Sequence, residues 1–131
     1  MEIVNVLAAA MAGYIFGAIW YMGLAKPWMA AAGIEADENG RPQGGAGATP
    51  YVLSAIAMVL VAGMMRHIFA MAGMESLGAG LIGGLGIGLF FISPWIMINN
   101  AYEARPFKLT LINGGYATFG CAIMGAVLTI F

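Results

Sequence analysis

The sequence predicts an all-α polytopic membrane protein, a bundle of four transmembrane helices forming a single domain over residues 1–131. Two observations predict it. First, 62% of the residues are hydrophobic and 8% are charged, whereas soluble domains carry about 25% charged residues. A water-facing surface cannot be built from so few charges, so the solvent for most of the chain is lipid. Second, four apolar runs, about 3–24, 51–72, 77–98 and 109–131, are each long enough to cross a hydrocarbon core about 30 Å thick. Backbone groups in lipid bond internally, so the runs are helices.

Run one carries no charge after Glu2. It opens without a basic n-region and is too long for a signal h-region, so it reads as a retained first span. No lipidation box is visible. Lys26 to Gly33 then reads as a short interfacial helix, started by Pro27 and stopped by Gly33, with Trp28 at headgroup depth. Residues 35–49 are rich in glycine and charge, with Asn39-Gly40 and Gly44-Gly45 as turn signals, and predict a flexible loop.

Thr49-Pro50 predicts an N-cap followed by a first-turn proline for run two. A short connection at Gly73–Ser76 forces an antiparallel hairpin into run three, and Glu75-Ser76 is a similar start signal. Pro94 lies inside run three, removes a backbone hydrogen bond there and predicts a kink. A polar hinge from Asn99 to Lys108 follows, and Pro106 opens run four. Lys26, Arg41, Arg105 and Lys108 all fall on the side of the two longer connections. The positive-inside bias puts that side in the cytoplasm and both termini outside.

Several constellations invite a chemical reading. Gly78-Ala79-Gly80-Leu81-Ile82-Gly83 matches the dinucleotide-binding glycine pattern, but that pattern needs a strand before it and a βαβ unit around it. Gly80, Gly84 and Gly88 instead share one helix face, a glycine zipper that lets backbones approach closely. Ala9, Gly13 and Gly17 of run one, and Ala117, Cys121 and Gly125 of run four, repeat the spacing. These faces serve packing within the chain or association with other chains.

Arg66 and His67 lie inside run two, where ionisable groups are costly. Arg66 is expected to pair with Glu2 or Glu75, which share its end of the bundle; a ligand or lipid-headgroup site is the other reading. Met64, His67, Met71 and Met74 share a face that suits copper(I) or a haem iron. The 11 methionines are spread through every span as gap fillers, however, and no cofactor or metal is expected. The hinge residues Asn99, Tyr102, Glu103 and Arg105, with Asn113 and Tyr116 one to two turns into run four, form a possible polar pocket or lock. Asn113 must find a partner, since an unpaired amide in lipid costs several kcal/mol. Tyr102, Asn99 or the carbonyls freed by Pro94 are the candidates.

Gly17-Ala18-Ile19-Trp20-Tyr21, the glycine-rich third run, and the hairpin from Asn99 through Tyr102-Glu103 and Arg105-Pro106 to Ile112-Asn113-Gly114-Gly115-Tyr116 resemble an uncharacterised family of small four-helix membrane proteins, domain of unknown function 1761. The resemblance covers nearly the whole chain apart from the 35–49 loop. The chain departs from the pattern at Ala117, where a larger residue is expected after Tyr116. The resemblance implies four helices and a bacterial inner membrane, and it brings no activity.

Function classes narrow accordingly. The net charge of -1 is too small and scattered to imply nucleic acid. One cysteine, Cys121, excludes an internal disulfide and a zinc cluster. There is no serine–histidine–carboxylate set and one histidine in all, so no enzyme is expected. The expectation is a non-catalytic structural or accessory protein of the bilayer, packing as a homo-oligomer or as a subunit of a larger membrane complex through its Gly/Ala faces. The alternative is a small transporter or channel component acting as an oligomer, with a polar path from the hinge through Asn113 toward Arg66. A haem, copper or lipid binder using run two comes last.

Overall fold

A computed structural model describes residues 2–40 and 47–130, the side chain of Glu2 excepted. Arg41 and the Gly44-Gly45 turn lie outside the described residues. The elements are α1 (Glu2–Gly23), α2 (Ala25–Ala32), α3 (Thr49–Ala72), α4 (Leu77–Gly86), a π-helical segment (Ile87–Ile92), α5 (Ser93–Tyr102) and α6 (Phe107–Ile130). No strand occurs among them. α4, the π-helical segment and α5 run on as a single span, so among the described residues four helices are long and apolar enough to cross a membrane. The third span reaches Tyr102, a full turn beyond the expected residue 98.

The ends follow backbone chemistry. Ser76 caps α4, its hydroxyl accepting from the Ala79 N–H at 3.1 Å. Thr49 is not a cap: α3 already includes it, Ala48 precedes it, and no side chain caps that end. Gly73 (φ 70°) ends α3 in the left-handed region, where Met74 N–H reaches the Phe69 carbonyl at 2.9 Å. The same motif closes α5, but with Ala104 (φ 57°) in the left-handed position. There Arg105 N–H reaches the Asn100 carbonyl at 2.8 Å and Ala104 N–H the Ala101 carbonyl at 3.1 Å.

Pro94 disrupts its helix as expected, and the disruption takes the form of a π-helical turn. The Ser93 N–H bonds the Gly88 carbonyl five residues back, which widens the turn just ahead of the proline ring. The helix then continues unbroken to Tyr102.

Helix α6 is the axis of the bundle. It packs against α1, α2, α3, and the whole α4–α5 span, and half of its apolar stretch is buried, against 11% for α4–α5. The core joins Ala9 and Ala10 of α1, Ala62, Met65 and Phe69 of α3, and Cys121, Met124 and Leu128 of α6. The most extensive pairing is α4 with α6, and glycine makes it possible. A Cβ at Gly80 would strike the Gly125 carbonyl, one at Gly84 the Cys121 carbonyl, and one at Gly88 the Ala117 carbonyl. The three contacts climb one helix while descending the other, so two antiparallel small-residue faces meet backbone to backbone. The α1 face behaves differently: Gly13 receives the Met124 side chain (2.8 Å from an added Cβ) and Gly17 the Tyr116 hydroxyl (2.7 Å). Cys121 of α6 is buried in the core beside these contacts.

Candidate functional site

The densest polar chemistry lies where the end of α1 meets the first turns of α6. The Tyr21 hydroxyl donates to Asn113 Oδ1 at 2.7 Å. Trp20 Nε1–H donates to the Ile112 carbonyl at 2.9 Å. The Tyr116 hydroxyl donates to the Gly13 carbonyl at 3.2 Å and also lies 3.4 Å from the Met58 sulfur. Ring contacts bind these residues into one aromatic body: Tyr21 meets Tyr116 edge-on at 5.4 Å and Trp28 of α2 at 6.0 Å, while Phe16 stacks on Tyr116 at 6.1 Å. Glycines make room for it. An added Cβ at Gly115 would lie 2.7 Å from the Trp20 ring.

This geometry corrects the expected partner of Asn113. Its partner is Tyr21 of α1; Tyr102 and Asn99 point away, Tyr102 being 90% exposed. The expected pocket therefore separates into two parts. Asn113 and Tyr116 face α1. Asn99, Tyr102, Glu103 and Arg105 face outward at the hinge, with Arg105 3.6 Å from Glu103. Arg105 reaches across to α2, where Nη1 donates to the Ala32 carbonyl at 2.8 Å. A guanidinium there complements the negative end of the α2 dipole.

A second polar node sits at the π-helical turn and faces the opposite side of α6. Ser93 Oγ lies 2.7 Å from the Gly88 carbonyl, 3.0 Å from the Gly114 carbonyl and 3.2 Å from Thr118 Oγ1. Thr118 Oγ1 donates to the Gly114 carbonyl at 2.8 Å. Two further polar ties close the ends of the bundle. Buried Asn100 donates to Thr110 Oγ1 at 3.0 Å, and buried Asn5 donates to the Leu128 carbonyl at 2.9 Å. Sequence reasoning passes over Asn5, Ser93, Thr110 and Thr118, and places Asn100 only within the polar hinge. The signal available was a polar side chain within an apolar run, which in lipid requires a partner.

A family model described as Protein of unknown function (DUF1761) matches residues 4–129. The chain belongs to the DUF1761 family. Searches among curated proteins and among solved structures found no match. Two of the motifs that carried the resemblance meet in this DUF1761 chain: Trp20 and Tyr21 from the first touch Ile112, Asn113 and Gly115 of the last. Ala117, the point of departure from the pattern, lies where its carbonyl faces Gly88.

The Arg66–Glu2 pairing rests on a side chain outside the described residues, and Glu75 is exposed in the turn after α3. Arg66 is partly buried and His67 exposed beside a cavity of about 320 Å³ between α1 and α3. Met64 and Met71 turn outward, 58% and 70% exposed, while Met74 packs on the core, its methyl against Gly83. The four-residue Met–His face is therefore split between lipid and core.

Proposed function

We propose that this chain is a non-catalytic integral membrane protein, a structural or accessory subunit that packs laterally against a second copy of itself or a larger membrane complex. One observation carries the reading. The side chains of Asn5, Tyr21, Ser93, Asn100, Asn113, Tyr116 and Thr118 bond within the bundle, while α3 and the α4–α5 span turn large apolar side chains outward. Leu60, Ile82, Phe90, Phe91 and Trp95 are each 64% to 71% exposed. The Gly/Ala faces, acting as a glycine zipper, hold the bundle together from within. Association then falls to the broad apolar faces of α3 and α4–α5.

The bacterial inner membrane is the expected location, with both termini on the outer side. The Arg105–Ala32 bond supports placing the two basic connections together at one end, and the lysine–arginine bias assigns that end to the cytoplasm. The alternative of a small transporter needs a wet path past Asn113. The closed Tyr21–Asn113 bond and the aromatic packing around it weigh against one. Purification from native membranes in mild detergent, followed by native mass spectrometry, tests the proposal. The expected result is a homo-oligomer or a stoichiometric partner; a chain that stays alone and monomeric at every protein-to-detergent ratio contradicts it.

A further inference from the structure

The cavity between α1 and α3 has a chemistry that the packing of the bundle does not use. Its walls are apolar along most of its length, with Val6 and Leu7 from α1 and Val59 and Gly63 from α3. Arg66 and His67 stand toward the end of α3 that Ala72 closes. Gly63 is what opens it. Unlike the glycines of the α4–α6 seam, Gly63 permits no close approach: a Cβ there would meet nothing nearer than a Val6 methyl at 4.0 Å.

Depth adds a second constraint. α3 has 24 residues, about 36 Å at 1.5 Å per residue, against a hydrocarbon core of about 30 Å. Arg66 lies six residues before the end of the helix, about 9 Å in. Its side chain leans toward the helix N-terminus, deeper into the membrane. The guanidinium is therefore held below the headgroup plane beside an open, lipid-facing groove. Exposed His67 adds a second nitrogen donor at the rim. Arg66 also interacts within the chain, but a guanidinium presents five N–H donors, enough to serve that contact and a phosphate together.

We propose that this groove binds one anionic phospholipid of the surrounding bilayer. An acyl chain lies along Val6, Leu7, Val59 and Gly63, and the phosphate is drawn down onto Arg66 and His67. Charge complementarity selects the anionic headgroup, and the gap left by Gly63 accepts the chain.

The test is native mass spectrometry of the detergent-solubilised full chain, titrated with phosphatidylglycerol or with phosphatidylcholine of the same acyl composition. The expected result is one retained phosphatidylglycerol, bound at least fivefold more tightly than phosphatidylcholine. Arg66→Gln with His67→Gln is expected to abolish that preference, and Arg66→Lys to keep most of it. Gly63→Leu fills the groove from a position where nothing stands in its way, and is expected to remove the retained lipid of either kind without lowering the melting temperature. Equal affinity for the two lipids in the native chain overturns the proposal. So does a phosphatidylglycerol preference that survives Gly63→Leu, which remains informative if the arginine variant fails to fold.

Discussion

Substituting alanine at Gly84 and at Gly86, two residues apart on one helix, should move stability in opposite directions. Alanine in place of glycine gains about 1 kcal/mol of helix propensity at an interior position. At Gly86 nothing lies within 4 Å of the new methyl, so that gain stands alone. At Gly84 the methyl collides with the Cys121 carbonyl oxygen, stands 2.7 Å from its carbon and 3.0 Å from the Ala122 Cα. Every one of these atoms is backbone, so no side-chain rotation relieves the clash and α4 must move away from α6. Overpacking of this kind costs about 1–3 kcal/mol, and a rigid obstacle places it at the upper end. The net expectation is a loss of about 2 kcal/mol for Gly84→Ala and a gain of up to about 1 kcal/mol for Gly86→Ala. Gly13→Ala should fall between them, because its obstacle is the flexible end of Met124. Unfolding by sodium dodecyl sulfate titration in mixed micelles, followed by far-ultraviolet circular dichroism, reads the three variants. Equal stability of Gly84→Ala and Gly86→Ala would refute the backbone-to-backbone seam.

Three further outcomes follow from the polar ties and the hinge. A double-mutant cycle of Tyr21→Phe with Asn113→Leu in the same assay should give a coupling between about 0.6 and about 1.7 kcal/mol, the average and the maximum for interhelical hydrogen bonds in lipid; additive effects would show that the two groups do not meet. Ser93→Ala should cost only about 1 kcal/mol, because the Gly88 carbonyl keeps the Ser93 N–H and the Gly114 carbonyl keeps Thr118; a loss several times larger would mean that the hydroxyl itself maintains the π-helical turn. Ala104→Gly should raise the unfolding midpoint, gaining about 1 kcal/mol by relieving a left-handed alanine; no gain would place that residue elsewhere in the hairpin.

The spans were legible because length and apolarity fix them regardless of how they pack. Ser76 was legible as a cap because its bond is local. Thr49 misled for the same reason: it has the right chemistry, but the chain is already helical at that residue, so its side chain never takes the cap position. The pairing of small faces was not legible. Runs one, three and four all place small residues four apart, and periodicity cannot say which two faces meet. The antiparallel connection through the hinge decides it by laying Gly80, Gly84 and Gly88 along Gly125, Cys121 and Ala117.

That Asn113 needs a partner is legible in an apolar run, but the sequence offers as candidates only neighbours within the same hairpin, such as Asn99 and Tyr102. Tyr21 is 92 positions away, a separation that hydropathy carries no information about. Pro94 announces a break, but nothing local in the sequence says that the break is a π-helical turn in which the Ser93 N–H reaches back to the Gly88 carbonyl.

In the proposed function the polar residues within the bundle are a clasp and not a path. Cysteine accessibility at Asn113 tests it most directly. In a Cys121→Ala background, Asn113→Cys and the exposed control Tyr102→Cys are treated in sealed membranes with a membrane-impermeant maleimide from each side. The expected result is that the control labels from one side while position 113 stays protected from both. Ready labelling at position 113 from either side would contradict it and point to a wet cavity at the heart of the bundle.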